Sequence, residues 1–157
     1  MTDKEFHIHF LEYNSIEEMN PEDRELAAEA VKAMSGAYAP YSHFHVGAAV
    51  RMSNGQIVRG ANQENAAFPS GLCAERTAMF SAGARYPDKD MLGIAIAGGV
   101  MGRLAKEPVT PCGACRQVMA QYQAKSGKPM SIIMISADKV WKFEKVDDIL
   151  PLIFNSI

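Results

Sequence analysis

Three cysteines carry the first chemical signal in this 157-residue chain. Cys112 and Cys115 stand three apart in Pro111-Cys112-Gly113-Ala114-Cys115, a spacing that puts both on one side of a first helical turn. The positive end of a helix dipole lowers thiol pKa there and favours the thiolates that bind metal. Cys73 lies 39 residues earlier (112 − 73) in Leu72-Cys73-Ala74-Glu75-Arg76, and reaches the same point if its own helix N-terminus packs alongside. Structural zinc normally takes four protein ligands, whereas catalytic zinc takes three plus water. There is no fourth cysteine, and His43 and His45 sit near a strand rather than beside a cysteine motif, so an open position is expected. Glu75, two residues past Cys73, projects beside the metal towards bound solvent, where a carboxylate takes a proton and delivers it to substrate. Three thiolates on a divalent cation leave a net charge of -1 (2 − 3), and the guanidinium of Arg76, hydrogen-bonded to sulfur, would withdraw it.

The rival readings have their own signatures. A lone C-x-x-C also suits a redox pair, and a non-enzymatic zinc module would close the fourth position with protein. Three cysteines cannot form a disulfide framework. Lys and Arg total 16 against 18 for Asp and Glu, a formal charge of -2, so no basic excess marks a nucleic-acid partner. A polynucleotide-editing enzyme would need a basic groove and exposed aromatics. Hydrophobic residues at 48% and charged ones at 22% describe an ordinary globular chain. No apolar run approaches the roughly 20 residues of a membrane span. Met1 to Phe10 carries acids and histidines where a secretory signal has a basic segment and an apolar run. A soluble, cytoplasmic protein with no membrane partner is expected.

The elements that must position these residues follow from periodicity and punctuation. Residues 21–37 read as a helix, capped by Asn20, with Pro21 in its first turn and Leu26, Ala30, Val31 and Met34 as its apolar stripe. Residues 44–52 and 56–61 flank Ser53-Asn54-Gly55, a hairpin signal. Residues 73–84 and 112–124 are helix-compatible, each opening at a cysteine motif. Residues 92–98 and 131–137 are apolar runs of buried-strand type, 140–146 makes a fifth strand, and a short acidic helix covers 147–150. Hairpin connections and helical crossovers together predict a mixed sheet with helices on its faces. The organisation expected is an N-terminal extension, 1–20, followed by one domain, 21–157. Within the extension, residues 5–13 alternate like an amphipathic strand. His7 and His9 share one face of it; an extra edge strand with solvent-facing histidines accounts for the pattern better than a second metal site.

Taken together, Cys73-Ala74-Glu75-Arg76 and Pro111-Cys112-Gly113-Ala114-Cys115-Arg116 resemble the zinc deaminases, in which the Glu is not a ligand. The chain is similar to the small, homotetrameric, three-cysteine cytidine deaminases from about Glu22 to Phe154. The other specific blocks are Pro40-Tyr41-Ser42-His43-Phe44-His45-Val46-Gly47-Ala48-Ala49 and Gly60-Ala61-Asn62-Gln63-Glu64-Asn65-Ala66. The resemblance implies a three-layer α/β/α sandwich with a mixed five-stranded sheet, here with an extra N-terminal strand. It also implies one zinc per subunit and hydrolysis of cytidine and deoxycytidine to uridine and deoxyuridine in pyrimidine salvage. Glu75 would be the catalytic residue and Cys73, Cys112 and Cys115 the metal ligands. Asn62 and Glu64 would bind ribose, and Phe44 would stack on the base. Ala66, Phe68 and Ala74 would complete the substrate site with Phe154, whose ring helps enclose the base in a neighbouring subunit of the homotetramer. A deaminase of a nucleoside antibiotic such as blasticidin S would share the zinc blocks, but Asn62-Gln63-Glu64-Asn65 favours an ordinary nucleoside. The sequence departs from the family at Phe68, often Tyr, and at His45, commonly Pro.

Overall fold

The computed structural model describes residues 1–155. Its centre is a six-stranded mixed sheet. The strands are β1 (Leu11–Tyr13), β2 (Phe44–Met52), β3 (Ile57–Ala61), β4 (Met91–Val100), β5 (Ser131–Ile135) and β6 (Val140–Phe143). Their spatial order is β1-β6-β5-β4-β2-β3. Only β4 and β5 are parallel neighbours; every other pair is antiparallel. Three helices cover the faces: α1 (Pro21–Ala33), α2 (Ala74–Arg85) and α3 (Gly113–Ser126).

Alternation along the strands sorts two cores. Ala48, Val50, Ile94, Ile96, Ile132 and Met134 meet Ala78 and Met79 of α2 and Met119 of α3. The intervening Ala49, Ala95, Ala97, Ile133 and Ile135 meet Leu26, Ala27 and Ala30 of α1. Both faces are therefore buried and the layers run α1, sheet, α2 with α3. The small residues set how near the helices lie. A Cβ on Gly47 would fall on the Ala30 carbonyl, and one on Gly60 on the Ala78 amide, so α1 and α2 rest against strand backbone. Asn20 does cap α1, its side chain accepting from the Asp23 amide at 2.9 Å. The helix ends at Ala33 and tightens into a 3-10 turn, Met34–Gly36, before the Pro40 break.

The topology explains how distant cysteines meet. β3 and β4 are each antiparallel to β2 and so run in the same direction. The chain crosses over by α2 from β3 to β4 and by α3 from β4 to β5. Two crossovers on one face, leaving strands of one direction, put both helix N-termini at the carboxyl ends of the strands.

The extra strand is present but shorter than the alternation over 5–13 suggests. β6 spans four residues, and its register with β1 runs from Leu11 opposite Lys142 to Tyr13 opposite Val140. Phe10 leaves the ladder, its ring 5.1 Å from Phe143 and 5.4 Å from Trp141. Residues 5–9 have no strand partner, and His7 and His9 are exposed. The strand expected over 140–146 likewise ends at Phe143, followed by a 3-10 turn at Val146–Asp148 where an acidic helix was expected over 147–150.

Candidate active site

Cys73 and Cys112 are the N-cap residues of α2 and α3, each with extended backbone, and neither thiol caps its own helix. Both sulfurs are therefore free to turn towards each other. Cys115 follows in the first turn of α3 and is fully buried. The Cys112 and Cys115 sulfurs are 3.5 Å apart, those of Cys73 and Cys112 are 4.0 Å apart, and all three lie within 4.8 Å. A tetrahedral ion with Zn–S bonds of about 2.3 Å spaces its sulfurs about 3.8 Å apart, so this triangle has the right size. Three soft donors converging on one point, with no fourth protein ligand, suit zinc with an open position. Among the described residues this is the one cluster of potential metal ligands.

Two charged groups attend the sulfurs. Arg76 Nη2 donates to Cys73 Sγ at 3.4 Å, as the charge argument required, while Arg76 Nε is buried with no partner. The Cys73 thiol is drawn down to about 5, first by its hydrogen bond with Cys115 and then by Arg76. Cys115, sharing that hydrogen bond in a buried setting, is pushed up and holds the proton. Glu75 is 5% exposed in an otherwise apolar helix face. Burial holds its carboxyl above the usual range, and the charge of Cys73 adds to that. A carboxyl so placed exchanges protons nearer neutrality than a solvated one.

A cavity of about 580 Å³ opens beside Cys73 and Arg76, within the size range of small-molecule sites. Its walls come from two loops. One follows β3: Gln63 and Leu72 exchange backbone hydrogen bonds of 2.9 Å in both directions, pinching residues 63–72 into a loop that delivers Cys73 to α2. The other is the turn before β2, bearing Tyr41 and Ser42. Glu64 links the two. Its carboxylate accepts from the Tyr41 amide at 2.9 Å, the Ser42 amide at 3.2 Å and the Ser42 hydroxyl. These donors hold it below the usual carboxylate range, the hydroxyl foremost. Asn62 also lines the cavity, but its amide is spent on β2: Oδ1 accepts from the Val46 amide at 2.8 Å and Nδ2 donates to the Phe44 carbonyl at 2.9 Å.

The remaining expected site residues fall in three places. Phe68 stands on the cavity wall, 77% exposed, with the Tyr41 ring edge-on at 6.0 Å. Ala66 is exposed on the same loop, and Ala74 is buried under it as the first residue of α2. Phe44 lies outside this cavity, in a separate hollow with Val100, Met101 and Leu104. Phe154 is further off, 68% exposed, its backbone bracketed by the Gln117 side chain. Three contributors escaped the residue-by-residue reading. Tyr41 and Ser42 entered it only as members of the block from Pro40 to Ala49, with no role of their own. Arg116 donates to the Pro111 carbonyl at 2.8 Å and to the Ile149 carbonyl at 2.8 Å, tying the Cys112 turn to the C-terminal segment. Membership of the block from Pro40 to Ala49 is the signal that marked Ser42 beforehand.

Residues 20–128 match the family described as the cytidine and deoxycytidylate deaminase zinc-binding region. A cytidine deaminase of Halalkalibacterium halodurans is 50% identical over 98 residues, which cover 61% of this chain and 68% of that protein. A probable cytidine deaminase of Dictyostelium discoideum is 32% identical over 138 residues, 87% of each chain. Among solved structures, the cytidine deaminase of Burkholderia pseudomallei superposes with a TM-score of 0.69 at 37% identity, covering 87% of this chain and 100% of that one. The cytidine deaminase of Mycobacterium tuberculosis follows at 0.66 and 30% identity, covering 83% and 95%.

Proposed function

Because the chain belongs to the cytidine and deoxycytidylate deaminase family, we propose that it hydrolyses cytidine and deoxycytidine to uridine and deoxyuridine, releasing ammonia. The observation that carries this reading is the meeting of Cys73, Cys112 and Cys115 at two helix N-termini beside buried Glu75, at one end of a nucleoside-sized cavity.

Cys73, Cys112 and Cys115 hold the zinc, which when bound supplies the Lewis acidity that makes water nucleophilic at neutral pH. Glu75 takes the proton of that water as it attacks C4 of the base. The same carboxyl delivers that proton to ring N3, then takes the proton of the new C4 hydroxyl and gives it to the amine, which leaves as ammonia as the C4–N bond breaks and the C4 carbonyl forms. Its buried setting suits both halves of the cycle, since a carboxyl with a raised pKa gives up a proton almost as readily as it takes one. Arg76 moderates the charge of the thiolates through Cys73. Glu64, kept ionised by three donors, is an acceptor waiting for sugar hydroxyls, with Asn62 beside it. Phe68 on the cavity wall and Ala66 on the same loop border the base, with the neighbouring subunit's Phe154 closing the site in a homotetramer.

A free nucleoside fits better than a nucleotide. An anionic Glu64 repels a phosphate brought close to it, and no lysine lines the cavity. Arg76, the cation on the cavity wall, is engaged with Cys73, and the chain has no basic excess, which argues against a nucleic-acid substrate. No helix among the described residues is long and apolar enough to cross a membrane; a cytoplasmic place in pyrimidine salvage is part of the same proposal and rests on the family. Mixing the purified protein with cytidine and following loss of the cytosine absorbance with ammonia release tests the reading. Intact cytidine after incubation with zinc-loaded protein would overturn it, as would turnover of cytidine monophosphate at a comparable rate for the choice of nucleoside.

A further inference from the structure

We infer that Ser42 is a positioning residue of the sugar subsite, its hydroxyl fixing the Glu64 carboxylate so that a nucleoside hydroxyl finds an oriented acceptor. The inference rests on the nucleoside reading above. Its own grounds are a hydrogen-bond relay. The Phe44 amide donates to Ser42 Oγ at 3.0 Å, so the hydroxyl must send its own proton elsewhere, and it sends it to Glu64 Oε1. The other carboxylate oxygen, Oε2, takes the Tyr41 and Ser42 amides at 2.9 and 3.2 Å. Each oxygen of Glu64 is thereby tethered, and the carboxylate plane cannot turn. A free carboxylate at a cavity mouth would rotate among solvated positions, and ordering it would cost affinity.

The backbone around Ser42 is shaped to this end. His43 adopts φ of 56°, a left-handed conformation uncommon outside glycine, although His is, with Asn and Asp, among the side chains that take it most readily. That kink lets two successive amides, of Tyr41 and Ser42, face one carboxylate oxygen while the next residue but one enters β2. It is held from both sides: the His43 amide donates to the Ala39 carbonyl at 3.0 Å, and the His43 carbonyl accepts from the Met101 amide at 2.8 Å. Strained backbone that the surroundings over-determine is commonly found where a site needs fixed geometry. Glu64 gains the most from it, because its lone pairs are otherwise open to the cavity.

Steady-state kinetics on cytidine with wild-type, Ser42→Ala, Ser42→Thr, Glu64→Gln and Ser42→Ala/Glu64→Gln proteins test the inference. Ser42→Ala should raise KM roughly tenfold with kcat little changed, as expected for a hydrogen bond to a charged group. Zinc content should hold, and Ser42→Thr, which keeps the hydroxyl, should restore KM. In the Glu64→Gln background Ser42→Ala should add nothing, because both act through one carboxylate. An unchanged KM in Ser42→Ala, an equal loss in Ser42→Thr, or additive effects in the double variant would overturn the inference. A second readout needs no turnover. In carbon-13 titration of Glu64, Ser42→Ala should move the carboxyl up towards its ordinary value; an unmoved midpoint also counts against Ser42. If wild-type protein leaves cytidine intact, the deaminase reading fails, and the titration alone still decides the role of Ser42.

Discussion

At the scale of residues, the site depends on keeping ligands and proton carrier distinct. Glu75 lies two residues past Cys73, one of the proposed ligands, and its buried carboxyl is not among the atoms that cluster within 4.8 Å of one another. Glu75→Gln preserves shape and removes only the titrating oxygen. That variant should fold and hold zinc, measured by metal analysis, while turnover falls by more than the roughly 10²–10⁴-fold of a single general acid–base, because one group serves several transfers. Loss of zinc would make Glu75 a ligand; near-normal turnover would remove the proton shuttle. The cysteines should behave oppositely. Cys115→Ala should lose the metal, and because the ligands pin two helix N-termini together, it should also lower the melting temperature. Removing zinc from wild-type protein with a chelator should lower the melting temperature too, and re-adding zinc should restore it. A chelated protein melting at the same temperature as the loaded one would show that sheet packing alone holds α2 against α3.

At the scale of elements, close packing sets the limits. Gly47 lies where α1 touches β2, and a side chain there meets the Ala30 carbonyl and the Met34 amide, neither of which can move without shifting a helix. Gly47→Val should therefore destabilise by about 1–3 kcal/mol or more, read as a lower denaturation midpoint; an unchanged midpoint would mean α1 slides freely over the sheet. The same packing explains which elements were legible beforehand. Asn20 and Pro21 announced α1, and Ser53-Asn54-Gly55 announced the β2–β3 hairpin, because caps and turns are written in local residue types. Strand faces were harder. In β4 (Met91–Val100) both faces are buried, so Ile94 and Ile96 go to one layer and Ala95 and Ala97 to the other with no polar residue to mark the difference. The N-terminal segment erred the other way. Its alternation over 5–13 was clear, but a strand needs a partner, and β6 offers one only to Leu11–Tyr13. The cysteine triangle was legible because helix starts and ligand types are local signals. The tethers of Glu64 and Asn62 were not, since each joins residues 16 to 23 positions apart through the folded loops.

At the scale of the whole molecule, a single copy leaves the site open where it should be closed. Phe68 on the cavity wall is 77% exposed, and Leu152 and Phe154 at the C-terminal end are 77% and 68% exposed. Exposed apolar residues gathered at a cavity and at a chain end are the kind that other subunits cover. Gln117 fixes the backbone of Phe154 against α3 through both its amide and carbonyl, so the ring is offered outward rather than folded back. Placing Phe154 in a neighbour's site follows from the homotetramer proposed above and separates two defects that one chain cannot separate. Glu75→Gln lacks its own proton carrier but still lends a normal Phe154. Phe154→Ala keeps its Glu75 but lends nothing. Each variant alone should be impaired, the first almost completely. Light scattering should give four subunits per particle for both. Dissociated and reassembled together, the two should form mixed tetramers in which some sites combine Glu75 from one chain with Phe154 from the other. Cytidine turnover should then exceed the sum of the two variants assayed apart. Turnover equal to that sum, in particles shown to be mixed, would mean that each subunit carries a complete site of its own.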